Sequence, residues 1–170
     1  MKIAQRYSHL NGEEYLIVHH SELYKEIESV IETIDADSLK TKVSKEKRKA
    51  GNALFAPKEI NKAFGREFDA REWSESRYSY YITLDRDLMQ QSIPMPAKKQ
   101  KKFLIENGIQ EPIYSYNQTD FVKEKIAVEV QFGKYAFVAF DLFVKHMLFY
   151  SGGVINLGVE ILPTKKMQSQ

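Results

Sequence analysis

The fold is decided by YNQTDFVKEKIAVEVQFGKY, Tyr116–Tyr135. In its second half Ile126, Val128, Val130 and Phe132 alternate with Ala127, Glu129 and Gln131. Successive side chains of a strand point to opposite faces of a sheet. One face is therefore wholly apolar and goes to the core, while the other carries a small residue, an acid and an amide. Upstream stands a second acid, Asp120. If the chain folds back at Glu124–Lys125, residues whose numbers sum to 249 face each other, and Asp120 meets Glu129. Glu-Lys is a poor two-residue hairpin turn, and a longer loop would shift that pairing. Directly opposed residues have Cβ atoms about 4.5–5.5 Å apart, and two carboxylates so placed repel unless a proton or a cation lies between them. An oxygen-seeking divalent ion such as Mg²⁺ suits such a pair, because it binds one or two carboxylates together with waters and phosphate oxygens. The same residues also read as a half-exposed strand with a solvated Glu and Gln and an Asp at a turn. Spacing alone leaves both open.

Around this stretch lies an ordinary globular composition. The chain of 170 residues fits one domain with a real core. Hydrophobic residues make up 43%, too many for a disordered chain. No apolar run approaches the ~18–20 residues that cross a bilayer, which argues against a membrane protein. The absence of cysteine rules out disulfides and thiolate metal sites, and agrees with a cytoplasmic protein.

Helical and extended patterns alternate along the chain. A short strand is expected over about Lys2–Tyr7, then a helical stretch capped by Asn11. After Ser21 a clearer helix carries Leu23, Ile27, Val30, Ile31 and Ile34 on one face. APKEINKAFGREF reads as a helix with Pro57 in its first turn, and SRYSYYIT as an aromatic strand. PMPAKKQKKFLIENG reads as a short helix begun by Pro96 and stopped at Gly108. FVAFDLFVKHMLFYSGG is a largely apolar helix ended by Gly152–Gly153, and NLGVEIL a last strand. Such mixing suggests an α/β fold, a central mixed β-sheet flanked by helices.

The hairpin resembles the active-site segment of type II restriction endonucleases, in the subgroup that includes BamHI and BglII, and is closest to BstYI-type enzymes. YSHLNGEEY, ETIDADSLKTK, SKEKRKAG, YNQTDFVKEK, AVEVQFGKYAFVAFDLFVKHM and GVEILP carry the likeness in order across nearly the whole chain. The resemblance implies a restriction-endonuclease-like PD-(D/E)XK core. Here that pattern is Thr119-Asp120…Glu129-Val130-Gln131, with Gln at the usual lysine position, as is typical of the BglII-like branch. By position, Asp120 and Glu129 would be metal-binding catalytic carboxylates, the Val130 carbonyl a further ligand, and Gln131 the residue that orients the attacking water. An amide is no base near neutral pH, so the catalytic burden would fall on Mg²⁺.

The resemblance further implies a homodimer that cuts double-stranded DNA at a palindrome with a GATC core, 5′-RGATCY, with a cognate methyltransferase protecting host DNA. Lys134, just beyond the strand, would reach a base edge, or else only a phosphate or water. The basic run Lys40–Lys49, with Lys45, Lys47, Arg48 and Lys49 at its end, would clamp the DNA backbone; it also reads as a solvated surface. Lys98–Lys102 reads as a solvated helix face. The four histidines read as structural. Phe137, Phe140, Phe143 and Phe149, with Val144 and Leu148, form an apolar stripe suited to a core or a two-fold interface. The resembling proteins continue well past EILP, so residues 1–170 read as one domain lacking a C-terminal segment. That leaves a second reading, a truncated relative that binds DNA or dimerises without efficient cleavage.

Overall fold

A computed structural model describes residues 1–44 and 50–168. In chain order its main elements are α1 (Gly12–His19), α2 (Ser21–Thr33), β1 (Lys42–Val43), β2 (Ala53–Leu54), α3 (Pro57–Asp69), β3 (Ser74–Ile82), α4 (Arg86–Ser92) and α5 (Ala97–Glu106). There follow β4 (Ile113–Lys123), β5 (Ile126–Val130), α6 (Val138–Phe140), α7 (His146–Ser151), β6 (Leu157–Ile161) and α8 (Lys165–Gln168). The chain divides into two compact units. One comprises Met1–Trp73, Val130–Tyr135 and Ile161–Gln170, the other Ser74–Glu129 and Ala136–Glu160.

The first unit is built on α2 and α3. The periodic face of α2 is buried at Leu23, Ile27 and Val30, with Ile34 just beyond it. In α3 Pro57 starts the helix, where a missing N–H costs nothing, and Ile60, Ala63, Phe64 and Phe68 turn inward. Trp73 packs edge-on against Phe68, and its indole N–H donates to Glu26 at 2.9 Å. Residues 2–7 form no strand. The amino terminus donates to the carbonyl of Ile34, and Arg6 pairs with Glu28 and Glu13. Charge contacts with α1 and α2 thus take the place of the ladder that a strand there would need.

The second unit holds most of a four-stranded mixed sheet in the order β3-β4-β5-β6, flanked by helices, as the sequence pattern leads one to expect. β3 and β4 pair antiparallel, as do β4 and β5. The Asn156 N–H donates to the Lys125 carbonyl, joining the starts of β5 and β6, so these two run parallel. Phe121 faces Val128, Val122 faces Ala127 and Lys123 faces Ile126, the register that the sum of 249 expects. The turn uses two residues after all: Glu124 and Lys125 both take positive φ, 48° and 64°. That is the left-handed pair a type I′ turn demands and normally fills with Asn-Gly. Tertiary pairing on both sides overrides the poor local preference.

Two further expectations change in detail. All five residues of β5 are buried, so the Ala127–Glu129 face is covered rather than solvated. The single helix expected over 136–151 is broken: α6 and α7 are joined by a π-helical turn, Asp141–Lys145. Its C-terminal part supplies Phe149, which with Ala127 and Ile155 forms a fully buried cluster packed by Tyr78, Val122 and Val154. Gly152 admits the Tyr78 ring, which lies 2.4 Å from where a Cβ would stand.

Candidate active site

Asp120 and Glu129 come together. Carrying the β4–β5 register one step beyond Phe121–Val128 sets Asp120 opposite Glu129, and the Asp120 N–H donates to Glu129 Oε1 at 3.2 Å. The Thr119 hydroxyl donates to the same oxygen. Between Val122 and Thr119, β4 advances three residues while β3 advances two, from Ser74 to Ser76. Such a bulge re-aims side chains locally, and Thr119 is fully buried while Asp120 is exposed. Glu129 is only 2% exposed.

The other Glu129 oxygen has a partner that sequence reasoning missed. Lys145 Nζ lies 2.8 Å from Glu129 Oε2 and 2.9 Å from Asp141 Oδ1. Asp141 and Lys145 are one π-turn's ends, both buried. Next to Lys145, His146 sets Nε2 3.7 Å from Glu160 Oε1 on β6. Neither that nitrogen nor either Glu160 carboxylate oxygen has a hydrogen-bond partner among the described residues. Gly158 makes room for this ring: a Cβ there would meet His146 Nδ1 at 2.2 Å. His146, read as structural from the sequence, lies beside the acidic cluster. The only sequence signal was the presence of Asp141, Lys145 and His146 in an otherwise apolar helix.

Electrostatics follow from burial. Glu129 is pushed up to about 7, first by loss of solvent and then by the charge of Asp120, against the opposing bonds from Lys145 and Thr119. Glu160 is pushed up to about 8 by burial and by the charges of Asp141 and Glu129. Burial brings His146 down to about 4, aided by the Lys145 charge. Burial alone would lower Lys145, but its bonds to Glu129 and Asp141 more than reverse that and hold it above its usual value.

Asp120, Glu129, Asp141 and Glu160 thus lie within electrostatic reach of one another around one buried ammonium. The oxygen donors fit a hard divalent cation, and the upward pKa shifts of Glu129 and Glu160 follow from burial first and neighbouring carboxylate charge second. Among the described residues no three His, Asp or Glu side chains form a ready-made cage. Two carboxylates completed by water and phosphate oxygens are what Mg²⁺ commonly takes. In the first unit, the Gln131 N–H donates to the Ile161 carbonyl at 3.1 Å and Lys134 is exposed. Lys45, Lys47, Arg48 and Lys49 lie outside the described residues. Lys98, Lys99, Lys101 and Lys102 are exposed, whereas Gln100 between them is buried and accepts from the Tyr81 N–H at 2.7 Å.

Residues 4–170 match the family described as restriction endonuclease BglII/BglIII. No curated protein sequence matches the chain.

Proposed function

The chain belongs to the BglII/BglIII restriction endonuclease family and is a type II restriction endonuclease; from that premise we propose that it is a Mg²⁺-dependent homodimer, closest to BstYI-type enzymes, cutting double-stranded DNA at 5′-RGATCY. The observation that carries the metal-dependent reading is the buried Glu129 with Asp120 opposite it, the Glu129 carboxyl being raised toward neutral pH by burial and by the charge of Asp120. Bound Mg²⁺ would lower the pKa of a coordinated water and neutralise charge developing on the phosphate.

The chain's own residues do the rest. Thr119 and the Asp120 N–H hold one Glu129 oxygen, which fixes the carboxylate's rotation. Asp120, exposed beside it, faces the solvent from which DNA arrives. The family pattern assigns Val130 a carbonyl ligand role and Gln131 the orientation of the water. Gln131 can donate and accept hydrogen bonds but cannot take the proton at neutral pH. Lys134 is assigned a base edge, and Lys45, Lys47, Arg48 and Lys49 the DNA backbone. A cognate methyltransferase would protect the host, and the working compartment would be the cytoplasm; among the described residues no helix is long and apolar enough to cross a membrane.

Support for the homodimer lies in the helical segment. Phe137, Phe140, Phe143, Val144, Met147 and Tyr150 are exposed, with Phe143 at 73%. They recur at helical spacing, and an exposed apolar stripe of this kind marks an interaction surface. Two-fold pairing there would match a palindromic DNA site. Of the original stripe, Phe149 alone is fully buried. In this reading residues 1–170 act as a single restriction-endonuclease-like domain.

Asp120→Ala tests the site. We expect it to lose plasmid cleavage in Mg²⁺ by at least about 10³-fold, as removal of a catalytic metal ligand should, while still binding a GATC duplex in Ca²⁺. A variant that cuts at the normal rate would remove this site from the reaction.

A further inference from the structure

The geometry points to Lys145 as a positioning residue, an exchangeable counter-ion that occupies the Glu129 oxygen needed by the metal and withdraws to Asp141 when the metal binds. This rests on the metal-dependent reading above and extends it to residues that the hairpin pattern does not contain.

Three observations carry it. Both Glu129 oxygens are engaged: Oε1 by Thr119 and the Asp120 N–H, Oε2 by the Lys145 ammonium at 2.8 Å. A divalent cation binding Glu129 must therefore share or displace one of these groups. The hydroxyl and N–H belong to the strand that presents Asp120, whereas the ammonium ends a long side chain with four rotatable bonds. Lys145 is thus the group able to yield. A second seat already exists, since Asp141 Oδ1 lies 2.9 Å from the same nitrogen. A buried ammonium displaced with nowhere to go would be strongly destabilising; Asp141 removes that obstacle.

The π-turn explains why the two sit together. Asp141 and Lys145 are four residues apart in a turn with one residue more than an α-helical turn, and such widened turns concentrate at functional sites. The turn aims both side chains to the buried interior while Leu142, Phe143 and Val144 between them remain exposed. Gln131 stands where the wider nuclease pattern has lysine, so the strand itself supplies no cation; the helical segment supplies one to Glu129 instead.

The test measures Mn²⁺ occupancy by electron spin resonance, on protein bound to a GATC duplex with non-hydrolysable linkages at the scissile positions. Lys145→Gln is one bond shorter but keeps a hydrogen-bond donor while removing the charge. We expect it to bind Mn²⁺ roughly tenfold tighter, close to the effect of one unit charge about 4 Å away under water-like screening. Asp141→Asn should weaken binding several-fold by leaving the ammonium on Glu129 alone. The decisive result is the double variant, in which Asp141→Asn should have no further effect once Lys145 is Gln. Additive effects of the two substitutions would mean ordinary long-range charge, and would overturn the exchange. Unchanged affinity in Asp141→Asn alone would overturn it too, even if Lys145→Gln failed to fold. Mn²⁺ occupancy that Asp120→Ala lowers but neither Lys145→Gln nor Asp141→Asn moves defeats the exchange and leaves the metal site standing. Occupancy indifferent to Asp120→Ala defeats both.

Discussion

The β4–β5 hairpin and the helical segment 136–151 contribute opposite things to one site. The hairpin brings Asp120 and Glu129 through pairing, one residue against another in a ladder. The helical segment brings Lys145 and Asp141 through a local widening of the helix, which no pairing rule specifies. Ladder geometry is periodic and repeats every two residues, so an acid on a strand can be placed from its number. A π-turn is an insertion into a 3.6-residue period, and everything after it changes face. The acids are the part of the site that pattern predicts, and their counter-ion is the part it hides.

The comparison can be broken first on the hairpin side. Thr119→Val keeps shape and removes the hydroxyl that fixes Glu129 Oε1. We expect cleavage to fall by about 10–100-fold, the usual cost of losing an orienting partner behind a metal ligand, with duplex affinity in Ca²⁺ little changed. Steady-state kinetics on a single-site plasmid decide it. A fall in affinity equal to the fall in rate would show that Thr119 supports the fold of β4 rather than the aim of Glu129.

A smaller effect is expected where the sequence reading extends past the strand. Lys134→Asn should alter preference at one base position by roughly 1–3 kcal/mol, read as relative cleavage across variant sites. A uniform loss over all sequences, with a shallower salt dependence, would mark a phosphate contact instead.

The smallest effect concerns β6, where Glu160 meets His146 of the helical segment. Glu160 holds its proton up to about pH 8 in the folded chain, against an ordinary carboxylate value near 4.3 when unfolded. The folded state then binds more protons than the unfolded between those values, so metal-free stability falls as pH rises through that range. Glu129, up to about 7, acts in the same sense. His146, down to about 4, acts oppositely, but only below its unfolded value near 6.5. Between pH 6.5 and 9 the carboxylates therefore dominate among these three. The melting temperature in chelator should drop by several degrees across that window, and Glu160→Gln should flatten its upper half. A wild-type curve that rises with pH there would contradict the assigned burial of Glu160.

Much of the fold was legible. The faces of α2 and α3, the Pro57 start, the aromatic strand β3 and the strand β5 follow from residue pattern alone. The Glu124–Lys125 turn was not, because its left-handed backbone opposes local preference and is held by the strands on either side. The strand expected over Lys2–Tyr7 failed for the opposite reason: its residues find ion pairs with α1 and α2 instead of a ladder. At the site, Asp120 and Glu129 were visible as a pair. Thr119 was visible only as a motif position, since its use depends on the bulge in β4. Glu160 looked like an ordinary acid on an alternating strand; its depth depends on His146 and on Gly158, which clears space for the ring.

The most direct measurement incubates purified protein with plasmid DNA in Mg²⁺ and in chelator and maps the ends. Discrete fragments with GATC overhangs in Mg²⁺, and intact plasmid in chelator, are the expected result. Undiminished cutting in chelator, or fragments in Mg²⁺ whose ends bear no relation to GATC, would contradict a metal-dependent, sequence-specific centre built on Asp120 and Glu129.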